Sequence, residues 1–473
     1  MSTDNTHDRP SKIHYNSGNA QAHSDGCAFP HPIRRATAGD CPPLHIEIMG
    51  AHQSSGASRH GLGVACGLGA GVWLGAAEAP TKLVNSGLSP FAISLCMVLG
   101  VFTARWTFPT LLKGTRYVAA DLLAKKHLVV WAILAGALWA VANTLTVFAV
   151  RDVGLAVAFP LWNANALFGL LWGRLLFGEL RGATPSTIAR VTVGTLAIII
   201  AAVLLGFSTM HGSGSTPHHA LQGIIAALGA SLLWGTMYVP YRKAYISGMN
   251  PLSFVTVFTI GEVVTMLTLV LTLDGGTHSP VFYSSLVRPL LFWLFLGGFV
   301  WVIGDLLQQF ATKYLGIGRG IPLSNTNQLW GLVWAALVFG ELKQASGMQR
   351  LMVVGGSLIM ILGALAISTA VAGQREQTST NVALKRECDR YSLDYFRVLG
   401  EYSGSEFDIR EQKRGWWDYL IVALAVGIFV GLARMAAPPE IAMNFRWVSA
   451  LAILLALTLA GCCWALYRKT GFS

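Results

Sequence analysis

Charge is what this sequence has least of: Asp, Glu, Lys and Arg make up 12% of its 473 residues, about half the share in an ordinary soluble protein. That deficit excludes a conventional water-soluble globule. Signatures of catalysis are missing as well. There is no phosphate loop, no nucleophile elbow and no zinc motif, and the glycine clusters suit helix packing better than a nucleotide fold, so neither an enzyme nor a cofactor is expected. The seven cysteines, Cys27, Cys41, Cys66, Cys96, Cys388, Cys462 and Cys463, have no paired metal spacing and mostly lie in or beside apolar runs. They read as packing residues. The scattered N-terminal histidines lack ligand spacing too, so no metal is expected.

Acidic residues are scarcer than basic ones, 23 against 34, which leaves a formal charge of +11. In a soluble chain this would suggest nucleic acid. Here the basic residues cluster in short loops between hydrophobic runs, so membrane lipid headgroups are the expected partner and nucleic acid is not.

What the chain has in abundance is apolar sequence, at 53% of all positions. A helix rises about 1.5 Å per residue and needs roughly 20 apolar residues to cross a bilayer core of about 30 Å. Ten such stretches lie between Gly61 and Ala372, and two more follow near the C-terminus. The expected organisation is a disordered polar tail over 1–60, a first five-helix repeat over 61–210, a second over 211–372, a polar linker over 373–415 and a transmembrane hairpin over 416–473. The hairpin reads equally well as a docking or dimer-forming element and as a structural appendage.

The two repeats are visible in the residues. GLAVAFPLWNANALFGLLWGRLLFGEL at 154–180 returns at 316–342 as GIGRGIPLSNTNQLWGLVWAALVFGEL, with 14 of 27 positions identical at an offset of 162. Gly75 and Pro80 in the first span match Gly235 and Pro240 in the sixth, and Trp139 and Asn143 in the third match Trp301 and Asp305 in the eighth. Because five is odd, the second repeat enters the membrane from the face opposite to the first. The fold class is therefore an all-α polytopic membrane protein with an inverted repeat, a common plan of secondary transporters.

Polar chemistry inside the apolar spans is concentrated at matched places. Pro160 and Pro322 remove an amide donor and force the fourth and ninth spans to kink or unwind. Asn163 and Asn165 follow the first proline, and Asn325 and Asn327 the second. Positions two apart on a regular helix diverge by about 200°, so both amides of a pair reach one place only if the turn is distorted. Two assignments stay open: Asn163 and Asn325 face a substrate while Asn165 and Asn327 clamp helices, or the reverse. Amide groups both donate and accept, which suits the hydroxyls of a sugar, and Gln328 extends the set. Trp162 and Trp330 are placed to stack on a sugar ring. Glu262 and Asp305 fall within spans, where a charge costs at least about 2.5 kcal/mol. A desolvated carboxyl group that takes up a proton at one face and releases it at the other would couple transport to protons.

The paired PLWNANALFGLLWGRLLFGEL and IPLSNTNQLWGLVWAALVFGEL motifs, with GTMYVPYRK of the sixth span, resemble the glucose/ribose porter family of the drug/metabolite transporter superfamily, which is similar to rhamnose-proton symporters. The resemblance covers about 61–372. It implies a ten-helix, five-plus-five carrier in the cytoplasmic membrane that imports a monosaccharide with protons. The rivals are an exporter of amino acids or other small metabolites on the same fold, and a non-transporting membrane sensor or scaffold. The N-terminal tail and C-terminal hairpin depart from the family pattern.

Overall fold

The structure is a computed structural model. It describes residues 44–82, 88–153, 158, 161–208, 217–283, 285, 287–340, 342, 345–403, 414–437 and 443–472. Residues 1–52 separate by their contacts from 53–473, and the larger unit holds all the membrane spans. The chain is an all-α polytopic membrane protein. Ten helices among the described residues are long and apolar enough to cross a bilayer.

Eight of these belong to the duplicated core: α1 (Leu44–Lys82), α2 (Pro90–Leu112), then, after the short surface helix α3 (Thr115–Ala124), α4 (Val129–Val153), and beyond it α6 (Pro185–Ser208), α7 (Pro217–Ile246), α8 (Pro251–Leu273), α9 (Val287–Leu315) and α12 (Gly347–Ser368). The fourth and ninth spans are interrupted. One continues as α5 (Asn165–Phe177) after a turn at Asn163 and Ala164; the other is split into α10 (Ile317–Ser324) and α11 (Asn327–Leu337). The segment read as a polar linker carries two helices, α13 (Gln374–Tyr391) and α14 (Tyr395–Ser403), and α15 (Trp416–Met435) and α16 (Phe445–Thr470) complete the chain.

Polarity is arranged inside out relative to a soluble protein. Val130, Val193, Val264, Leu351 and Leu457 point outward, whereas Arg105, Glu262, Asp305 and Gln309 are fully enclosed. Lipid accepts the first set, and only protein partners make the second tolerable.

The inverted repeat is written into the helix crossings. Aligned on their opening prolines, Pro90 and Pro251, α2 and α8 carry Gly100 and Gly261 at the same step, and α4 and α9 carry Gly136 and Gly298. A Cβ on Gly100 would run into the Phe295 carbonyl of α9, and one on Gly298 into the Met97 carbonyl of α2. The same happens between Gly261 of α8 and the Ile133 carbonyl of α4, and between Gly136 and the Phe258 carbonyl. Each second helix thus packs on the third helix of the other repeat, with backbones in contact as small residues permit in membranes. On α6 and α12 the relation folds onto itself: a Cβ on Gly194 would lie 2.8 Å from the Gly363 oxygen, and one on Gly356 3.3 Å from the Ala201 oxygen.

Loop contacts sort the ends onto two faces. Ser89 before α2 donates to Asp274 after α8 at 2.9 Å, and Asn444 before α16 donates its amide to Val338 after α11 at 3.0 Å. On the other face, His60 near the start of the first span meets the Ser368 carbonyl at 2.7 Å, and Asp418 at the start of α15 accepts from the Thr115 amide at 2.8 Å. The C-terminal hairpin docks on its own core. Phe429 sits among Phe292, Phe295 and Phe299 with ring centroids 5.5 to 5.8 Å away, and Cys462 faces Gly69 of α1.

Candidate functional site

Two polar constellations lie inside the helical core. The first is at the breaks. Pro322 is within α10, and the helix ends two residues later at Ser324, followed by a turn at Asn325 and Thr326. Pro160 lies outside the described residues, but the fourth span breaks at the matching step, Asn163 and Ala164. The distorted turns bring together amides that a regular helix would point apart. Asn325 Nδ2 donates to the Asn163 carbonyl at 3.0 Å and to Asn165 Oδ1 at 2.9 Å. Asn163 Nδ2 donates to Gln328 Oε1 at 3.1 Å, and Gln328 Nε2 to the Ala202 carbonyl at 2.8 Å. The two broken spans are therefore stitched to each other through Asn325 rather than through Asn327, whose Oδ1 has no hydrogen-bond partner.

The breaks are held from outside by matched glycines. A Cβ on Gly75 of α1 would stand 2.5 Å from the Asn327 oxygen, and one on Gly235 of α7 3.0 Å from the Asn165 oxygen. Trp162 is buried and packs edge-on to Trp234 at 6.0 Å. Trp330 is half-buried, its Cβ against Gly75. Asn163, Asn165, Asn325 and Gln328 thus form one bonded group, and Asn327 stands outside it.

The second constellation is charged. Arg105 of α2 reaches Glu262 of α8 through Nη1 at 2.9 Å and Asp305 of α9 through Nη2 at 2.7 Å, with all three side chains at 0% exposure. The guanidinium lies 4.0 Å over the Phe258 ring and 5.4 Å from that of Trp301. Asp305 Oδ2 also accepts from Gln309 at 2.8 Å, and Tyr245 donates its hydroxyl to Gln309 Oε1. Two carboxylates share one cation here. Arg105 Nε, Asp305 Oδ1, the Tyr241 hydroxyl and Trp139 Nε1 are buried around it without hydrogen-bond partners. Gln308, the neighbour of Gln309 on α9, donates to Ser324 at the end of α10.

Sequence reasoning found Glu262 and Asp305 but missed their common partner, because Arg105 looks solitary until α2, α8 and α9 are brought together. Glu179 accepts from the Ile317 amide at 3.0 Å and the Gly318 amide at 2.9 Å and pairs with Arg242 at 3.2 Å. It thereby caps the N-terminus of α10, where backbone donors and the helix dipole favour a carboxylate. The recurrence of Phe-Gly-Glu after each broken span was the available signal; the second copy, Glu341, lies outside the described residues. Among the described residues, no group of three or more His, Cys, Asp or Glu is arranged to hold a metal.

Two interrupted spans bonded to each other within a polytopic helical membrane protein suit a transporter, and comparison with known proteins narrows the class. A family model described as sugar transport protein matches residues 115–208. A Listeria innocua protein named "Putative sugar uptake protein" is 26% identical over 242 residues, covering 50% of this chain and 77% of its own. Proteins with that same designation from Listeria monocytogenes and from Streptococcus pyogenes serotype M1 are 25% and 26% identical, each over 50% of this chain and 77% of their own. One crystal structure superposes with a TM-score of 0.43 and 17% identity over 64% of this chain and 97% of its own, too low to bear on the fold. On the family and sequence matches, the chain resembles sugar transporters.

Proposed function

We propose that this protein is a secondary active transporter that imports a monosaccharide of the glucose, ribose or rhamnose type together with protons, by alternating access, across the cytoplasmic membrane. The observation that carries the reading is the buried Arg105, Glu262 and Asp305 group, in which one guanidinium faces two carboxylates between the repeats. With both acids ionised the group holds a net negative charge in a medium where uncompensated charge costs several kcal/mol per ion. Binding one proton removes that cost, and giving it up again requires access to water. A group that behaves so, placed where α2, α8 and α9 cross, changes its protonation as the repeats expose it to one face and then the other.

The sugar belongs at the breaks. Asn163, Asn165, Asn325, Asn327 and Gln328 supply donors and acceptors, and Trp162 and Trp330 supply the apolar walls on which a pyranose or furanose ring stacks. In this structure Asn163, Asn165, Asn325 and Gln328 bond to one another, and Asn327 Oδ1 is left for a ligand. A sugar entering on opening would take over these bonds, so that little polar surface is left unpaired in either state. Gln309, which donates to Asp305, and Gln308, which donates to Ser324, are neighbours on α9, and this stretch of helix would give protonation a route to the break.

Uptake of labelled monosaccharides into proteoliposomes under an imposed inward proton gradient tests the proposal. Accumulation above equilibrium that collapses with a protonophore is the expected result. Flux of amino acids but not sugars would favour the exporter on this fold, and no flux of any solute would favour a sensor or scaffold.

A further inference from the structure

The segment after the tenth span, α13 with α14, contributes nothing to the sugar site or the charged cluster, yet a set of buried ionic contacts ties it to the core. Glu376 forms a two-pronged pair with Arg319 at 2.6 and 2.9 Å, both side chains 4% exposed, and also accepts from the Leu180 amide at 3.3 Å. Glu387 pairs with Lys243 at 2.7 Å. Glu401 pairs with Lys125 at 3.0 Å and accepts from Lys313 at its carbonyl, and Arg242 donates to the Tyr402 hydroxyl at 3.1 Å. Lys125 and Leu180 belong to the first repeat; Arg242, Lys243, Lys313 and Arg319 belong to the second. All lie on the face to which the loops after the second, fourth, sixth and eighth spans return.

Alternating access needs the repeats to part on this face once per cycle. We infer that α13 and α14 form a gate that holds this face shut, and that its carboxylates must leave their basic partners before the transporter can open there. The inference rests on the transporter reading for its consequence, but the attachment itself does not. Two of the gate's residues touch both repeats: Glu376 through Leu180 and Arg319, and Glu401 through Lys125 and Lys313. Bidentate arginine pairs are strong and geometrically selective, and breaking a buried one leaves an uncompensated charge. Opening therefore requires water or another ligand to reach these residues. The gate is a unit of its own: Leu384, Cys388 and Val398 pack between its two helices, which lets it lift without unfolding.

Two thiols separate lifting from unfolding. Gly248, whose Cβ would meet Glu401 and Val398, lies under α14, and its neighbour Ser247 is fully buried. Cys388 is buried inside the gate, and its thiol is pushed up by burial and then by Asp389, Asp394 and Glu387, so it stays protonated and slow to react. In the full chain with the other cysteines replaced by serine, Ser247→Cys and Cys388 are labelled with a membrane-impermeant maleimide added to the gated face. Combining Glu376→Gln and Glu401→Gln should speed Ser247→Cys labelling about tenfold while Cys388 stays slow, and should raise the initial rate of sugar uptake. Lys243→Glu alone should also speed labelling, and adding Glu387→Lys should slow it again. Unchanged labelling of Ser247→Cys, faster labelling of Cys388 in parallel, or, where the wild type transports sugar, faster labelling without faster uptake would each overturn the gate. Labelling requires no sugar, so a wild-type protein that labels as expected but moves no sugar would count against the transport reading and leave the closed face intact.

Discussion

Where α2 crosses α9, Arg105 meets Asp305; where α8 crosses α4, the positions related by the inverted repeat hold Met266 and Asn143. Both crossings bring backbones together through a pair of glycines, and in both the side chains are buried. The neutral crossing is satisfied locally, with Asn143 donating to Ser94 at 3.3 Å and Thr144 to Met266 Sδ at 3.4 Å. Glu262, which reaches Arg105 from α8, is matched by Val101 of α2, so none of the three charged residues has a charged counterpart at the related position. The glycine framework is common to both copies and so belongs to the fold. The charge exists in one copy and is not needed to make such a crossing, which singles it out as the part with another task.

The largest effect should come from breaking the charged crossing. Arg105→Met leaves two buried carboxylates facing each other and should cost about 3 to 5 kcal/mol, read as loss of folded protein in detergent unfolding. Next, alanine at Gly100, Gly298, Gly261 or Gly136 puts a Cβ into a neighbouring carbonyl. Each should cost about 1 to 3 kcal/mol as overpacking, and the two crossings should suffer alike in the same assay. A cost confined to one crossing would contradict their structural equivalence. Asn325→Ala removes the donor that joins the broken spans and leaves Asn165 Oδ1 and the Asn163 carbonyl without it, for about 1 to 3 kcal/mol. It should also weaken sugar protection against thermal unfolding, whereas wild-type affinity would remove Asn325 from the sugar site.

Asp305→Asn makes the charged crossing resemble its twin while leaving Arg105 paired with Glu262. Stability should change little, but the pH dependence of uptake should flatten. The smallest effect is expected for Asn143→Asp, which places an acid in the neutral copy with no arginine to meet it. This acid should be held protonated and leave the pH profile of wild type unchanged.

Much of this was legible in the chain. The matched asparagines drew attention to the steps at which the turns of the fourth and ninth spans fall, Asn163 with Ala164 and Asn325 with Thr326, because amides are conspicuous in an apolar run; Pro322 itself lies inside α10, and Pro160 is outside the described residues. Glu262 and Asp305 stood out because lipid makes every acid conspicuous. Arg105 did not, since its importance lies in contacts 157 and 200 residues away in sequence, which no local pattern records. The pairing of Asn325 with Asn165 rather than Asn327 with either was also hidden, as it depends on the turn geometry at each break. Nor did composition reveal α13 and α14: a mixed-charge stretch reads as solvated linker until its acids meet Arg319, Lys243 and Lys125 across the face of the core.

The central claim is that the charged crossing carries a proton with each sugar. It is tested most directly by trapping a pH-sensitive dye inside proteoliposomes and adding monosaccharide outside. The wild-type protein should acidify the lumen as sugar enters, and Asp305→Asn should admit sugar without acidification. Sugar entry with no acidification in wild type, or equal acidification in the variant, would contradict the account.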